Sequence, residues 1–559
     1  MAADFTLNQR WAATLIGALV QGGVRRVVIA PGSRSTPLAL AVVDRPELEH
    51  FVVIDERSAA FFALGLAKGS EAPTAVLCTS GTAGAHFLPA VMEANEGSTP
   101  LVVLTADRPW ELQGFGAPQT TDQVGLFGKH VRVAEALAVP DEAGLAHLAA
   151  VTSRAVAIAR QQRGPVHLNV PFREPLAPLN GVAGPVIDPP AIRFADDERV
   201  VRQAEISELI AKAERGVIVC GPHDDRGDFG VHVHELARRL GFVVIAEAAS
   251  NARFGFPDAI STADALLRNE RFAKDARPDL VLRFGGGITA KRPQQWLDEC
   301  GAPIIEVSDT GKQFDPQHRV TWSVRALPEV ASPATALLDK RQLYRAKWLE
   351  AHKAIRARLK TELSGRLDEP SVAQALVGVM PDGASLFLSS SMPIRDVDAF
   401  AASDRRLRVF TNRGVNGIDG VTSTALGVAA STKQPTALLI GDVALLHDLS
   451  AWLVARKHSL SLTVVCVNND GGGIFHFLPI AERTRHFDEL FGTPHGVELK
   501  TIADLSGATF HRPASLADFS ATASNCLRGG LHLIEVKTDR RENVDVHRSL
   551  FARLAEVVP

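Results

Sequence analysis

Short apolar runs, each closed by glycine or polar residues and separated from the next by a helical stretch, recur along this sequence. They are Val27–Ala30, Phe51–Ile54, Ala75–Cys78, Leu101–Thr105 and Val166–Val170 in a first group. Gly216–Cys220, Val243–Ala246, Leu280–Phe284 and Ile304–Val307 form a second. Leu386–Leu388, Val409–Thr411, Thr436–Ile440, Leu462–Val467 and His532–Val536 form a third. Runs this short and this uniformly apolar are strands buried on both faces, the condition of a parallel sheet covered by helices. The alternation leaves one fold class, α/β, and 559 residues exceed what a single core organises. A Pro/Gly-rich stretch from Pro175 to Pro190 reads as a linker, and a charged helical stretch from Lys340 to Arg366 carries the chain into the third group. Three parallel-sheet α/β domains are expected, over residues 1–180, 190–335 and 355–559.

The first and third groups share a pattern. Ala63-Leu-Gly-Leu-Ala67 precedes Gly81 at nearly the spacing that separates Ala425-Leu-Gly-Val-Ala429 from Gly441, and both glycines follow a strand. Small-residue helices with a central glycine are expected to pack close on their sheets, in two related domains that flank a different one. A hydrophobic content of 46%, a charged content of 22% and a formal net charge of −3 leave no electrostatic footprint for nucleic acid or an anionic membrane. Residues 11–20 are apolar but too short to span a bilayer, and read as a helix ending at Gly22-Gly23. Cys78, Cys220, Cys300, Cys466 and Cys526 stand singly, without a CxxC pair. Buried free thiols, rather than disulfides or zinc ligands, fit them and a reducing cytoplasm.

Chemistry concentrates where strands end. Gly441-Asp442 follows Thr436–Ile440, and Asn468-Asn-Asp-Gly-Gly-Gly473 follows Leu462–Val467. Ligands bind at the carboxyl ends of parallel strands, so this carboxylate and amide can converge. Asp, Asn and a loop carbonyl are hard oxygen donors suited to Mg²⁺, which completes its octahedron with phosphate oxygens and water. Glycines let backbone N–H groups approach a phosphate. The pair reads as a site for a metal-bound diphosphate. Glu56 opens a helix and is flanked by Val53, Ile54, Ala59, Ala60, Phe61 and Phe62, where burial would drive a carboxyl toward its protonated form. Asp55, beside it, suits a helix cap. Arg34, Arg108, Lys291-Arg292, Arg395 and Arg413 fall at or near strand ends, a set suited to substrates with more than one carboxylate. Gly285-Gly-Gly-Ile-Thr-Ala-Lys-Arg292 fails the spacing of an ATP-binding phosphate loop.

Further motifs join these: Ala30-Pro-Gly-Ser-Arg-Ser-Thr-Pro37, Asp55-Glu-Arg57, Thr79-Ser-Gly-Thr82, Thr105-Ala-Asp-Arg-Pro109, Ser391 with Arg395, Asn412-Arg-Gly414, Gly417-Ile-Asp-Gly420 and Asn468-Asn-Asp-Gly-Gly-Gly-Ile-Phe475. Over its entire length the sequence resembles the thiamine-diphosphate enzymes. Within them it is similar to the 2-succinyl-5-enolpyruvyl-6-hydroxy-3-cyclohexene-1-carboxylate synthase family of menaquinone biosynthesis. The resemblance implies a pyrimidine domain, a central Rossmann-like domain and a diphosphate domain. It implies that Asp442, Asn469 and the Gly471 carbonyl hold Mg²⁺ or Mn²⁺. Gly81, Ser390, Ser391, Gly441, Gly472, Ile474 and Phe475 would then contact thiamine diphosphate, Ile418 would support it from beneath, and Glu56 would hydrogen-bond its pyrimidine.

The implied substrates are 2-oxoglutarate and isochorismate, oriented by Ser33, Arg34, Arg108, Gln119, Lys291, Arg292, Ser391, Arg395 and Arg413. Ile474, Phe475 and Leu478 would wall off water. The implied assembly is a homodimer or dimer of dimers in which Glu56 acts on cofactor held by the partner chain. Two departures stand out: Gly441-Asp442-Val443 lacks a third glycine, and Pro118 precedes Gln119 where relatives often carry Asn. An acetolactate-synthase-like ligase, a simple 2-oxo-acid decarboxylase and a non-catalytic cofactor-binding relative are the alternative readings. Intact Glu56, Asp442 and Asn469 speak against the last.

Overall fold

Eighteen strands in three wholly parallel sheets frame the computed structural model, which describes residues 5–177, 184–189, 204–224 and 228–558. The first sheet holds β1 (Arg26–Ile29), β2 (Glu49–Val52), β3 (Thr74–Cys78), β4 (Leu101–Asp107), β5 (Ala134–Ala136) and β6 (Pro165–Pro171), in the order β2-β1-β3-β4-β6-β5. The second holds β7 (Gly216–Cys220), β8 (Val243–Ala246), β9 (Ala259–Ile260), β10 (Leu280–Phe284), β11 (Ile304–Val307) and β12 (Val320–Val324), in the order β12-β11-β10-β7-β8-β9. The third holds β13 (Ser385–Leu388), β14 (Arg408–Thr411), β15 (Thr436–Gly441), β16 (Leu462–Asn468), β17 (Thr509–His511) and β18 (Leu531–Lys537), in the order β14-β13-β15-β16-β18-β17.

The first and third sheets thus share one strand order, which gives the sequence repeat a structural counterpart. The middle sheet instead has the order of a dinucleotide-binding fold. The strands that stand out most clearly in the sequence are buried at every position, such as β3, β4, β7 and β16. The run expected at Phe51–Ile54 instead forms β2 two residues earlier, with Glu49 and His50 exposed at a sheet edge. The four strands that the sequence leaves unmarked are β5, β9, β12 and β17. β9 has only two residues, and the others alternate or expose their side chains. All four are sheet edges; β5, β12 and β17 face water there and carry no unbroken apolar run, while β9 is buried but too short to stand out.

The first sheet, with residues 412–433 and 447–460, forms one compact unit; the second and third sheets belong to another. The expected linker at 175–190 lies in part outside the described residues, and its described residues carry no helix or strand. Among the described residues no helix is long and apolar enough to cross a membrane. The apolar segment at 11–20 lies within the helix Leu7–Gln21, closed by a Thr6/Gln9 capping box at one end and Gly22 at the other.

Within the first unit the helices Glu56–Ser70 and Val421–Thr432 correct one expectation. Their glycines meet each other rather than their sheets. A Cβ on Gly65 would lie 2.0 Å from the Thr424 carbonyl oxygen, and one on Gly427 would lie 2.2 Å from that of Phe62. Backbone against backbone leaves no flexible side chain to yield. Gly285 and Gly286 have a similar cause: Gly286 N–H donates to the Pro222 carbonyl at 2.7 Å, and a Cβ on Gly221 would stand 2.1 Å from the Gly286 oxygen. That loop is a backbone crossing. Gly427→Ala is expected to cost about 1–3 kcal/mol by overpacking. Gly378→Ala, whose nearest atom is a Gln374 side-chain nitrogen at 3.8 Å, is expected to be neutral or stabilising. Urea denaturation of both variants checks this, and equal midpoints would contradict it.

Candidate active site

In the third sheet β13 lies between β14 and β15, so the chain leaves β13 for one side and returns on the other. The crevice at the carboxyl ends of β13 and β15 is therefore a switch point, where open α/β sheets bind ligands. Ser389–Ser391 leave β13, Gly441 and Asp442 end and follow β15, and Asn469 follows β16. Asp442 is buried, with Oδ2 accepting the Gly471 N–H at 2.9 Å and Oδ1 the Val443 N–H at 2.7 Å. Burial raises its pKa, and those two N–H groups and His495 oppose the rise. His495 Nε2 stands 3.3 Å from Oδ2.

The Asn469 amide is oriented from behind. Its Nδ2 donates to Glu369 Oε1 at 3.1 Å, which leaves Oδ1 buried and without a hydrogen-bond partner. Glu369 is itself buried, its pKa pushed up to about 7 by desolvation and by Asp396. The Ser389 and Ser390 hydroxyls are likewise buried and unpartnered, and a Cβ on Gly441 would meet nothing within 4 Å. Unsatisfied buried oxygens, a desolvated carboxylate and open space beside a glycine fit a cation-bound diphosphate. The glycine run is more than a phosphate cradle. Cβ atoms on Gly471 and Gly472 would lie 1.9 and 2.3 Å from the carbonyl oxygens of Gly492 and Phe491. The Gly471 carbonyl, expected as a metal ligand, already accepts the Gly473 N–H at 2.9 Å and keeps one lone pair.

Ser391 holds a φ of +76°, and Arg395 Nη1 donates to its carbonyl at 2.5 Å. A serine there is strained, by about 1–3 kcal/mol, a feature that clusters at functional sites. Ile474 is half-buried, while Phe475 and Leu478 are exposed. Lys291 is exposed and Arg292 is turned elsewhere. Arg292 Nε donates to the Leu267 carbonyl at 2.8 Å, and the side chain lines a cavity of about 900 Å³ with Arg268, Arg277, Trp296 and Phe551. Ser391, Arg395 and Asp442 take no part in that cavity.

The first unit gathers a second group at the carboxyl ends of β1, β3 and β4, adjacent in their sheet. Arg34 is buried, donating to the Phe172 carbonyl at 2.9 Å, and its N–H bonds Thr79 Oγ1 at 3.2 Å. The Arg108 guanidinium reaches Ser80 Oγ and, at 3.0 Å, the carbonyl of Gln119, which holds a φ of +53°. Ser33 is exposed beside them. Burial, with Arg34 adding to it, lowers the Arg108 pKa. Gly81 N–H is held by Gln123 Oε1 at 2.8 Å, and Gln123 Nε2 donates to Asn169 Oδ1 at 2.9 Å.

Glu56 is the first residue of its helix, which Asp55 caps through the Ser58 N–H at 2.9 Å, as expected. In the single chain Glu56 is only half-buried, because Ile54, expected to help enclose it, is 71% exposed. Ser58 Oγ also donates to buried Asp448, which accepts the Ser423 N–H at 2.7 Å. Arg413 and Ile418 fall in this unit too. Their loop is fixed by buried Glu93, which accepts N–H bonds from Gly414 and Val415 at 2.8 and 2.7 Å.

The family model for the N-terminal TPP binding domain of thiamine pyrophosphate enzymes matches residues 9–126, and that for the thiamine pyrophosphate middle domain matches 190–388. Three relatives bear the name 2-succinyl-5-enolpyruvyl-6-hydroxy-3-cyclohexene-1-carboxylate synthase. That of Myxococcus xanthus is 49% identical over 99% of this chain and 98% of its own. Those of Geobacillus kaustophilus and Chloroflexus aurantiacus are 43% and 41% identical, over 98% and 97% of this chain and 98% and 95% of theirs. The chain belongs to the 2-succinyl-5-enolpyruvyl-6-hydroxy-3-cyclohexene-1-carboxylate synthase family. It is a thiamine-diphosphate-dependent enzyme.

In this synthase the supporting residues Glu369, His495, Glu93, Gln123 and Asp448 carry no motif, and only the fold brings them to the residues they hold. Asp448 offers a test. Burial pushes its pKa from 3.8 up to about 6. The folded chain therefore holds a proton there that the unfolded chain releases, and stability falls as pH rises from 3.8 to about 6. Asp448→Asn can accept the Ser423 N–H without a charge. Relative to this variant, wild type is expected to gain stability as pH falls through that window, measured by thermal melts. Parallel pH profiles would contradict the assignment.

Proposed function

We propose that this synthase decarboxylates 2-oxoglutarate and adds the resulting four-carbon unit to isochorismate in a 1,4 sense, for menaquinone biosynthesis. The observation that carries the reading is the unpartnered Asn469 Oδ1 beside desolvated Asp442 at the switch point of the third sheet. In a chain of this family that geometry suits Mg²⁺ or Mn²⁺, held by Asp442, Asn469 and the free lone pair of the Gly471 carbonyl. Thiamine diphosphate, when bound, supplies the carbanion chemistry.

The protein's share is placement. Ser390, Ser391, Gly441 and Gly472 border the diphosphate, Gly81 and Ile418 the rings, and Glu56 offers its carboxyl to a pyrimidine nitrogen. Arg34, Arg108, Gln119 and Ser33 form one anion site. Lys291, Arg292, Arg395 and Arg413 supply further positive charge, and Arg292 must give up the Leu267 carbonyl to do so. Two dianionic substrates explain why so many guanidinium groups attend one reaction. Ile474, Phe475 and Leu478 keep water from the reacting carbon.

The assembly we infer is a homodimer, or a dimer of dimers, in which Glu56 of one chain serves cofactor held by another. Ile54, Trp110, Phe115 and Val124 are each more than half exposed, the mark of a surface that another chain covers. Free cysteines, four of the five buried, suit a reducing cytoplasm.

Loss of isochorismate absorbance in the presence of 2-oxoglutarate, Mg²⁺ and thiamine diphosphate tests the reaction. Omitting any one of these is expected to stop it, and pyruvate turnover exceeding 2-oxoglutarate turnover would contradict it. Glu56→Gln is expected to abolish carbon dioxide release while cofactor still binds; turnover within a few-fold of wild type would show the acid misassigned. Mixing Glu56→Gln with Asp442→Ala chains tests the shared site. Two inactive variants are expected to regain about a quarter of wild-type activity, because half of randomly mixed dimers hold one intact site. No recovery after verified subunit exchange would place each site within one chain.

A further inference from the structure

At the far edge of the third sheet, away from the cofactor, three metal-binding side chains converge. His511 ends β17, His532 stands near the start of β18, and Cys526 closes the helix Leu516–Cys526. His511 pairs in register with Ile534, whose side chain shares a face with that of His532, so both imidazoles project from one face of the sheet. Asn468 at the active-site end pairs with Lys537, five residues further along β18, which puts His532 roughly 16 Å from the cofactor site.

We propose that His511, Cys526 and His532 form a zinc site that fastens the edge strand β17 to β18 and the neighbouring helix. His511 Nε2 lies 3.3 Å from His532 Nδ1 and 3.5 Å from Cys526 Sγ, and the three donors all lie within 4.8 Å of one another. Tetrahedral zinc, with bonds of about 2.0–2.1 Å to nitrogen and about 2.3 Å to sulfur, needs N···N edges of about 3.3 Å and N···S edges of about 3.5 Å. Two of the three edges have that spacing, and the third, between Cys526 and His532, lies within 4.8 Å.

A second observation concerns the far side of His532. Its Nε2 sits 2.9 Å from the Gly529 carbonyl and can only donate there, which leaves Nδ1 as a bare lone pair facing His511. Metal-binding histidines are held in this way, by the other ring N–H on a carbonyl. Gly530, at a φ of +95°, makes room for the ring, since a Cβ there would come within 2.9 Å of Nε2. Without a metal, one hydrogen bond from His511 Nε2–H to His532 Nδ1 pairs the two imidazoles and leaves the Cys526 thiol outside the pairing. The alternative, in which the thiol donates to His511 Nε2 at 3.5 Å, sets two nitrogen lone pairs against each other, so no metal-free arrangement engages all three side chains. A divalent cation takes all three lone pairs. The thiol proton passes to solvent as the Cys526–metal bond forms, and water completes the tetrahedron. Arg512, next in sequence to His511, is paired with Glu535 at 2.6 Å, so its charge is compensated.

Co²⁺ titrated into the protein holding Mg²⁺ and thiamine diphosphate reads the site directly. One equivalent is expected to give a thiolate-to-cobalt charge-transfer band with the intense visible bands of tetrahedral Co²⁺, displaced by Zn²⁺. Cys526→Ser is expected to abolish the charge-transfer band, and His511→Gln to weaken Co²⁺ binding at least tenfold, with turnover unchanged in both. Cys300→Ser is expected to retain it. A wild-type spectrum without the thiolate band, an octahedral spectrum, or a band that survives Cys526→Ser overturns the proposal. The wild-type titration decides even if a variant fails to fold.

Discussion

Polar atoms deprived of water and given too few partners are the constraint on which this structure turns. At the carboxyl ends of β13, β15 and β16, Asp442 is desolvated and three more oxygens, on Asn469, Ser389 and Ser390, are buried without any partner. Each such group costs about 1–3 kcal/mol in a chain that holds nothing there. The surrounding fold keeps them in place all the same: Glu369 turns the Asn469 amide, and the Gly471 N–H fixes Asp442. Under the proposed assignment a cation with a diphosphate would remove the cost, and part of the binding free energy would be stored in advance as unmet hydrogen bonding.

One strand order serves two different tasks. The first and third sheets present the same row of carboxyl-end loops. In the third, those loops carry acceptor oxygens and an aspartate; in the first, Arg34, Arg108 and Gly81 occupy comparable places. The glycine contact between the helices Glu56–Ser70 and Val421–Thr432 belongs to the same logic. The helix that begins at Glu56 has its start fixed by Asp55 and Asp448 and its middle fixed by Gly427, leaving Glu56 little freedom of position.

What could be read before folding follows from where information sits in a chain. Central strands were legible because burial on both faces writes an unbroken apolar run, whereas β5, β9, β12 and β17 write none. The positions of Asp442 and Asn469 at strand ends and the cap at Asp55 were legible because strand ends and helix starts are local. Glu369 and Glu93 were not: they act on groups 100 and 321 residues away, and a glutamate in a helix has no local reason to be buried. The helix glycines were recognised as close-packing positions but assigned the wrong neighbour, since spacing shows that a contact is tight and not what it touches. Arg292 shows another limit, for an arginine near a strand end can settle on a carbonyl as readily as it waits for a substrate.

Calorimetric titration of thiamine diphosphate in the presence of Mg²⁺, into wild type and Asn469→Ala, tests the central claim most directly. If the unpartnered amide oxygen is a ligand for the cation, the affinity of the variant falls at least tenfold, a loss of about 1.4 kcal/mol or more. Equal affinities, with the fold of the variant intact, would contradict it.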